Sequence, residues 1–290
     1  MKFDKNTKIL IVGLGLIGGS YAKALSDNGY FVGAIDKKKS SVEYALKNGL
    51  IQVGETSVKK DFVKDFDLIV FALYPHDFIN WIKEYQSSIK SGALITDVTG
   101  VKSFVVENVQ KILRGDLEFV GAHPMAGKEV SGVENADPKI FVGANYIVTP
   151  TKRNTDENVQ AVQDLGRALG FERISSLSPE EHDETVGFLS HLTHCIAVSL
   201  MVSKKSHHLA EYTGDSFRDL TRIAKINDEM WSELFLANKD ELLKQMDLFE
   251  EKFNQLKEDI KNDNREKIRE TLRESTARRK VFDKDAKETK

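Results

Sequence analysis

The chain has 290 residues, of which 40% are hydrophobic and 30% are charged, and its formal net charge at neutral pH is −3. This length suffices for two domains with separate cores, and the charge excludes the basic surface that nucleic-acid binding requires. The single cysteine, Cys195, cannot form an internal disulfide, and no stretch approaches the ~20 apolar residues that span a bilayer. We therefore expect a soluble, cytoplasmic protein that neither binds nucleic acid nor crosses a membrane.

A glycine motif follows the first apolar run. Residues 9–12 predict a buried strand, and Gly13, Gly15 and Gly18 follow it with the spacing Gly-x-Gly-x-x-Gly at the start of a predicted helix. This spacing permits a tight turn, lets the backbone approach a pyrophosphate and lets the helix pack close to the strand. The free amides of that helix start would bind the diphosphate of a dinucleotide. The predicted cofactor contacts are Gly13, Gly15, Leu16, Ile17, Gly18, Asp36 and Leu73.

Asp36 ends the second predicted strand, about 20 residues beyond the glycine motif, where such a carboxylate binds the adenosine ribose. A carboxylate at this position repels a 2′-phosphate, so the predicted cofactor is NAD rather than NADP. Lys37, Lys38 and Lys39 follow directly and could offset that repulsion, which leaves NADP as an alternative.

Strand-like and helix-like segments alternate through the first part of the chain. The near-continuous apolar run at residues 67–73 predicts a strand that is covered on both faces. Such alternation is typical of a doubly wound, mostly parallel α/β sheet of Rossmann type, which we assign to residues 1–177. The remaining strands are predicted at residues 93–98, 118–122, 145–149 and 173–176, and helices at 78–85, 102–113 and 156–169.

Strand signals stop at Ser178, where a capping residue, Pro179 and two acidic residues predict a helix start. We assign residues 178–282 to an all-helical domain, and residues 283–290, which lack apolar anchors, to a disordered tail. A long helix with one broad apolar stripe favours packing across a two-fold axis, so we expect a homodimer, with an intramolecular bundle as the alternative. The stripe consists of Leu242, Met246, Phe249, Phe253, Leu256 and Ile260.

His123 is a candidate catalytic base. It follows the predicted strand at residues 118–122, which places it at the carboxyl edge of the sheet, where ligands bind. A neutral imidazole there can accept the proton of a hydroxyl whose carbon loses a hydride to a nicotinamide. A histidine that only satisfies hydrogen bonds in a turn is the alternative, and the residues alone do not separate the two.

Three side chains of the second domain are candidates for substrate binding. His191 and His194 are three residues apart on a predicted helix and share a face, which suits polar contacts to an anionic substrate. A metal site would need a third ligand, and none has convincing spacing, so we predict no metal. Arg222 can grip a carboxylate bidentately, although a surface cation is the alternative.

Four motifs occur in this order: His-Pro-Met-Ala-Gly at 123–127, Ser-His-Leu-Thr-His at 190–194, Thr-Arg-Ile-Ala-Lys at 221–225 and Met-Trp at 230–231. Together they resemble those of the prephenate dehydrogenases of tyrosine biosynthesis, including arogenate and cyclohexadienyl dehydrogenases. The resemblance implies oxidative decarboxylation of prephenate to 4-hydroxyphenylpyruvate with reduction of NAD. It also implies that His123 accepts the proton of the ring hydroxyl and that Arg222 binds the ring carboxylate. His194 would contact the side-chain end of the substrate, with His191 close by.

One loop departs from this family. The family carries Asp-x-Gly-Ser-x-Lys where this chain has Asp-Val-Thr-Gly-Val-Lys at 97–102, so Gly100 stands at the serine position. Thr99 is the predicted replacement for the serine hydroxyl that assists the catalytic histidine. Some relatives append a regulatory domain or a chorismate mutase for which this chain leaves no room, so we expect any tyrosine feedback to act at the active site.

Three other functions stay open. Arogenate carries an amine where prephenate carries a keto group, and no acidic residue in the motifs is clearly placed to bind an ammonium. A β-hydroxyacid-type dehydrogenase would rely on a catalytic lysine in its helical domain, and the histidine motifs fit that class poorly. A non-catalytic NAD-binding regulator would not need both His123 and Arg222.

Overall fold

Alternating strands and helices build the first part of the chain, and helices build the rest. The computed structural model describes residues 1–205 and 208–282. Six parallel strands form the main sheet in the order β3-β2-β1-β4-β5-β6, so the order reverses between β1 and β4. The predicted doubly wound parallel sheet is confirmed. The strands are β1 (Lys8–Val12), β2 (Phe31–Ile35), β3 (Val53–Glu55), β4 (Leu68–Phe71), β5 (Leu94–Asp97) and β6 (Glu118–Phe119).

Apolar side chains cover both faces of this sheet. Along β1, Ile9 and Ile11 belong to one core cluster while Leu10 and Val12 belong to another, as the two-residue period of a strand requires. Because both faces are buried, the central strands are apolar at nearly every position. The helices of this part are α1 (Leu16–Asp27), α2 (Lys39–Lys47), α3 (Lys60–Val63), α4 (Pro75–Tyr85), α5 (Ser103–Ile112) and α6 (Asp156–Ala168).

A second sheet consists of β7 (Gly121–Pro124), β8 (Asn145–Thr149) and β9 (Arg173–Ser176). The chain changes partner at Val120, whose amide bonds to the Ile95 carbonyl at 3.0 Å, and β7 then pairs antiparallel with β8. His123 therefore lies inside β7, opposite Ile147, rather than after the last residue of a parallel strand as we expected.

In the described part of the chain beyond Ser178, every regular element is a helix. The predicted start at Ser178 is confirmed, because its side chain and that of Glu181 form a capping box. The long helix predicted from the apolar stripe is also confirmed. The elements are α7 (Pro179–Val186), a π-helical turn (Gly187–Leu192), α8 (Thr193–Val202), α9 (Asp215–Thr221), α10 (Asp228–Ala237), α11 (Lys239–Lys261) and α12 (Arg265–Arg279).

The chain divides into two compact units between Lys239 and Asp240. The first unit contains both sheets and the helices up to α10, and the second begins within α11. The functional limits 1–177 and 178–282 stay a prediction. The predicted tail at 283–290 lies outside the described residues.

One helical stretch, Pro179–Val202, is long and apolar enough to cross a membrane by length and composition, which corrects the expectation that no such stretch exists. Its buried polar residues, His182, Asp183 and His191, interrupt the apolar run in the sequence. Their side chains bond to other parts of the protein, so this face of the helix packs against protein.

Candidate active site

Three side chains form a hydrogen-bonded chain that ends at His123. The Asp183 carboxylate lies 2.8 Å from His182 Nδ1, and His182 Nε2 lies 2.8 Å from His123 Nδ1. The backbone amides of Lys102 and Ser103, where α5 begins, also donate to the Asp183 carboxylate, both at 2.8 Å. Asp183 and His182 are buried, whereas His123 is partly exposed.

This chain determines which nitrogen of His123 can accept a proton. An ionised carboxylate only accepts hydrogen bonds, so His182 carries its hydrogen on Nδ1 and its Nε2 is an acceptor. His123 then donates from Nδ1 to His182, and no hydrogen bond within residues 1–205 and 208–282 engages the lone pair of His123 Nε2. An imidazole oriented in this way by a carboxylate is the arrangement of a general base.

Desolvation keeps both imidazoles neutral. It lowers the pKa of His123 well below the ordinary value, and nearby His182, Lys102 and His191 lower it further. Desolvation also lowers the pKa of His182, although the hydrogen bond to Asp183 opposes this. For Asp183, burial raises the pKa, but the bonds from His182 and the two amides outweigh it and the net pKa is lowered. A neutral base and an ionised carboxylate therefore coexist at neutral pH.

A buried ion pair supports both ends of this chain. Lys102 Nζ donates to Asp97 Oδ2 at 2.6 Å, and both side chains are inaccessible to solvent. The other oxygen of Asp97 accepts from the Ala122 amide at 3.1 Å, one residue before His123. Burial lowers the pKa of Lys102, while Asp97 opposes that shift. The pair thus fixes β7 beside the site, and the Lys102 backbone holds Asp183.

The loop after β5 brings Gly100, rather than the Thr99 hydroxyl, to His123. The Thr99 hydroxyl contacts the Asp97 carboxylate, accepts from Lys102 Nζ at 3.1 Å and lies 3.0 Å from the Val101 carbonyl. A Cβ added to Gly100 would lie 3.8 Å from His123 Cε1 and 3.5 Å from Leu234. Thr99 therefore belongs to the buried ion pair, which gives no support to its predicted role beside the catalytic histidine.

His191 and His194 both lie against Trp231, with ring centroids at 6.1 and 3.7 Å. His191 is buried in the π-helical turn, with Asn238 Nδ2 3.3 Å from its Nδ1, and desolvation lowers its pKa to about 4. His194 Nδ1 lies 2.8 Å from the Ser190 carbonyl, and desolvation lowers its pKa as well. The predicted pair is thus brought together on one aromatic wall.

Arg222 forms an ion pair with Glu129, and its side chain is largely exposed. The two charges act in opposite directions on the pKa of His194, which Glu129 raises and Arg222 lowers, so the ion pair lies near His194. A guanidinium has five N–H donors, and Glu129 does not use them all. Arg222 can therefore still receive a substrate carboxylate.

The glycine motif has the geometry of a dinucleotide site. Gly13 has φ +100°, and a Cβ there would lie 2.4 Å from the Ala72 carbonyl oxygen and 3.0 Å from Leu73 Cδ2. A Cβ at Gly18 would lie 2.0 Å from the Gly13 oxygen, so the turn itself requires both glycines. Around Gly15, in contrast, a Cβ would meet nothing within 4 Å. This open space at the start of α1 is where a diphosphate would approach.

The surroundings of this turn also fit NAD. No side chain caps α1 and its first turn has no acidic residue, so the amides of Leu16 and Ile17 remain available to an anion. The Asp36 carboxylate accepts from the Leu14 amide at 2.6 Å and from the Lys38 amide at 2.7 Å. Asp36 thus lies against the glycine motif, where an adenosine ribose would follow the diphosphate.

Two protein-family models together match most of the chain. A model described as prephenate dehydrogenase, nucleotide-binding domain, matches residues 21–173, and one described as prephenate dehydrogenase, dimerization domain, matches residues 178–274. The chain belongs to the prephenate dehydrogenase family. It is an NAD-dependent oxidoreductase with a Rossmann-type cofactor domain.

Individual family members agree with this assignment. Prephenate dehydrogenase of Bacillus subtilis is 34% identical over 249 residues, and that of Lactococcus lactis is 32% identical over 257 residues. These matches cover 82% and 86% of this chain and 66% and 70% of the relatives, so the chain spans about two thirds of their length. The crystal structure of Aquifex aeolicus prephenate dehydrogenase with hydroxyphenyl propionate and NAD+ has a TM-score of 0.87 at 34% identity, covering 96% of this chain and 98% of that one.

Four residues of the site were not predicted from the sequence. His182 and Asp183 lie outside the motifs that carry the resemblance, and Glu129 and Asn238 were not singled out. The available signal for the first two was a His-Asp pair near the start of a capped helix, just before the apolar run that begins at Val186. Polar side chains that are buried at such a position indicate hydrogen-bond partners on a neighbouring element.

Proposed function

We propose that this protein catalyses the oxidative decarboxylation of prephenate to 4-hydroxyphenylpyruvate with NAD as the hydride acceptor. The observation that carries the proposal is the free Nε2 of His123 at the end of the chain from Asp183 through His182. A base of this kind suits a hydroxyl on a carbon that loses a hydride. The names of the relatives support prephenate as the molecule that carries this hydroxyl.

The reaction needs one proton acceptor and one electron acceptor. When bound, NAD+ accepts the hydride from the ring carbon that bears the hydroxyl. His123 Nε2 takes the hydroxyl proton, and the resulting imidazolium is stabilised through His182 by the ionised Asp183. The ring carbon–carboxylate bond then breaks, CO2 leaves, and its electron pair makes the ring aromatic. The proton on His123 returns to the oxygen, so the product is a phenol.

Binding residues hold the two ends of the substrate. We assign the ring carboxylate to Arg222, which exchanges part of its contact with Glu129 for the substrate, and the side-chain end to His194 with His191 close by. Trp231 forms the wall on which these rings pack. Thr99 acts through the Asp97–Lys102 pair and does not touch the substrate. These contacts orient the substrate ring against the nicotinamide, and this orientation lowers the barrier to hydride transfer.

The assembly that we propose is a cytoplasmic homodimer, with cofactor binding in residues 1–177 and substrate binding and dimerisation in residues 178–282. Large apolar side chains are exposed on the helices around the π-helical turn, among them Phe188, Leu189, Met201 and Val202. Such a patch favours a protein partner. Light scattering of the purified protein is expected to give twice the chain mass of 32.7 kDa, and a mass of one chain would contradict the dimer.

The decisive assay is NADH formation with prephenate and with arogenate, each with NAD and with NADP. Turnover of prephenate with NAD supports the proposal. If only arogenate were turned over, the proposed substrate would be wrong, and if turnover occurred only with NADP, the proposed cofactor would be wrong. NAD binding without turnover of either substrate would favour a regulator. We expect any inhibition by tyrosine to be competitive with prephenate, and a non-competitive pattern would place its site elsewhere.

A further inference from the structure

A carboxylate from α10 contacts the start of α4, on the cofactor side of the molecule. Glu233 accepts from the His76 backbone amide at 2.7 Å and also contacts His76 Nδ1 at 2.5 Å. The Glu233 side chain is only 17% exposed, although it lies 157 residues away from His76 along the chain. A second contact joins the same elements, because Asn227 Nδ2 donates to the Tyr74 hydroxyl at 3.1 Å.

The start of α4 has no cap of its own. Tyr74 is its N-cap residue and makes no side-chain hydrogen bond to the helix, while Pro75 occupies the first helical position. Asp77 in the first turn lies near the positive end of the helix dipole, but the bond that the His76 amide makes comes from Glu233. A carboxylate in this position makes a charge-assisted hydrogen bond and completes the helix from outside.

The segment that Glu233 holds belongs to the cofactor cleft. The turn from β4 into α4 contains Ala72 and Leu73, the residues that a Cβ on Gly13 would strike at 2.4 and 3.0 Å. A shift of the start of α4 therefore moves the surface against which the glycine turn packs. Leu73 of this turn and Met230 of α10 both pack against the same core cluster.

The opposite face of α10 belongs to the substrate pocket. Trp231 stacks on His194 with ring centroids 3.7 Å apart, and Leu234 would be 3.5 Å from a Cβ at Gly100, next to His123. Glu233 lies between these two residues in the sequence and turns the other way, toward α4. Helix α10 thus contacts the start of α4 on one side and carries Trp231, the wall of the substrate pocket, on the other.

We propose that Glu233 is a positioning residue. Its contact with His76, which we call the clasp, joins α10 to the start of α4 and so fixes the turn from β4 into α4 and the Trp231 wall in one arrangement. The inference rests on the proposed function for its substrate arm. Without the clasp, the arrangement that binds NAD is a smaller fraction of the population, and the apparent affinity falls by that fraction. The His76 ring also contacts the Phe104 ring, with centroids 5.2 Å apart.

The test compares Glu233→Ala with Glu233→Gln and with the matched control Glu229→Ala, an exposed acid one turn earlier on α10. Loss of an N-terminal cap weakens the capped state by roughly two- to thirtyfold, so we expect Glu233→Ala to raise the Kd of NAD within that range. The prephenate KM should rise with it, while kcat at saturation stays within about twofold. Glu233→Gln keeps an acceptor for the His76 amide and should fall between Glu233→Ala and wild type, and Glu229→Ala should match wild type.

Two further measurements distinguish the proposed positioning role of Glu233 from a role in stability alone. A double-mutant cycle between Glu233→Ala and His76→Ala should show coupling in the Kd of NAD, because the two side chains share one contact. A lowered melting temperature with an unchanged Kd and an unchanged KM would overturn the clasp, as would equal effects of Glu229→Ala. NAD affinity is measured without turnover, so a failure of prephenate oxidation in the wild type would refute the proposed function while leaving this test intact.

Discussion

Replacement of His182 tests the hydrogen-bonded chain behind the catalytic base. His182→Leu removes the acceptor that lies 2.8 Å from His123 Nδ1, so the hydrogen on that nitrogen loses its partner. The imidazolium that forms during catalysis then also loses its path to Asp183. A hydrogen bond to a charged group contributes about 1.5–3 kcal/mol, which corresponds to a kcat lowered roughly 10- to 150-fold. The prephenate KM should change little, because His182 lies behind His123 and does not face the substrate.

The assay is steady-state NADH formation with prephenate, accompanied by melting curves. His182→Gln is the conservative variant, since its side chain can accept from His123 and donate to Asp183 while being unable to take a proton. It should recover a large part of kcat if the orientation of His123 is what His182 supplies. His208→Leu, at an exposed histidine that pairs with Glu211, is the surface control. Wild-type kcat in a folded His182→Leu protein would refute the role of the chain.

The other predictions concern the base, the anchor, the glycine turn and pH. His123→Asn should lower kcat with little change in KM, and Arg222→Ala should mainly raise the KM for prephenate; the reversed pattern in steady-state kinetics would exchange their roles. Gly15→Ala should weaken NAD binding without lowering the melting temperature, because its Cβ enters open space, whereas Gly18→Ala should lower the melting temperature because its Cβ would lie 2.0 Å from a backbone oxygen. Stability should fall as the pH drops below about 6.5, because desolvation lowers the pKa of His191 to about 4 and that of His123 below its ordinary value, so only the unfolded chain takes up these protons. Melting curves between pH 8 and pH 4 check this, and a flat profile would contradict the neutral, desolvated state of the two rings.

The cofactor half of the site was predictable because it is local in sequence. The strand, the turn and the helix of the dinucleotide motif occupy one continuous segment, and the glycine spacing records contacts within that segment. Gly13 and Gly18 are required by backbone atoms of their own turn and of the turn that follows β4. Asp36 directly follows β2, and its carboxylate accepts a hydrogen bond from the Leu14 amide. A pattern of this kind needs no knowledge of how distant parts of the chain meet.

The catalytic half was predictable only in part, because it is assembled from distant segments. His123 was found, but its location inside β7 depends on a change of strand partner at Val120 that no periodicity reveals. The hydroxyl predicted at Thr99 is engaged by Asp97 and Lys102, because a buried ammonium needs more than one acceptor. Which of two adjacent loop residues faces the base is decided by such partners, and Gly100 is the one that does.

The same tertiary contacts explain why His182 and Asp183 work where they are. An Asp-His pair without partners would be costly to bury, since a desolvated carboxylate requires several donors. The start of α5 supplies two of them, the amides of Lys102 and Ser103, and His182 supplies the third. The segment that carries Lys102 also holds Asp97, which fixes β7 next to His123. The start of α5 therefore aligns the base and its orienting carboxylate at once, and the direction of proton acceptance at His123 is set by the packing of α7 on α5.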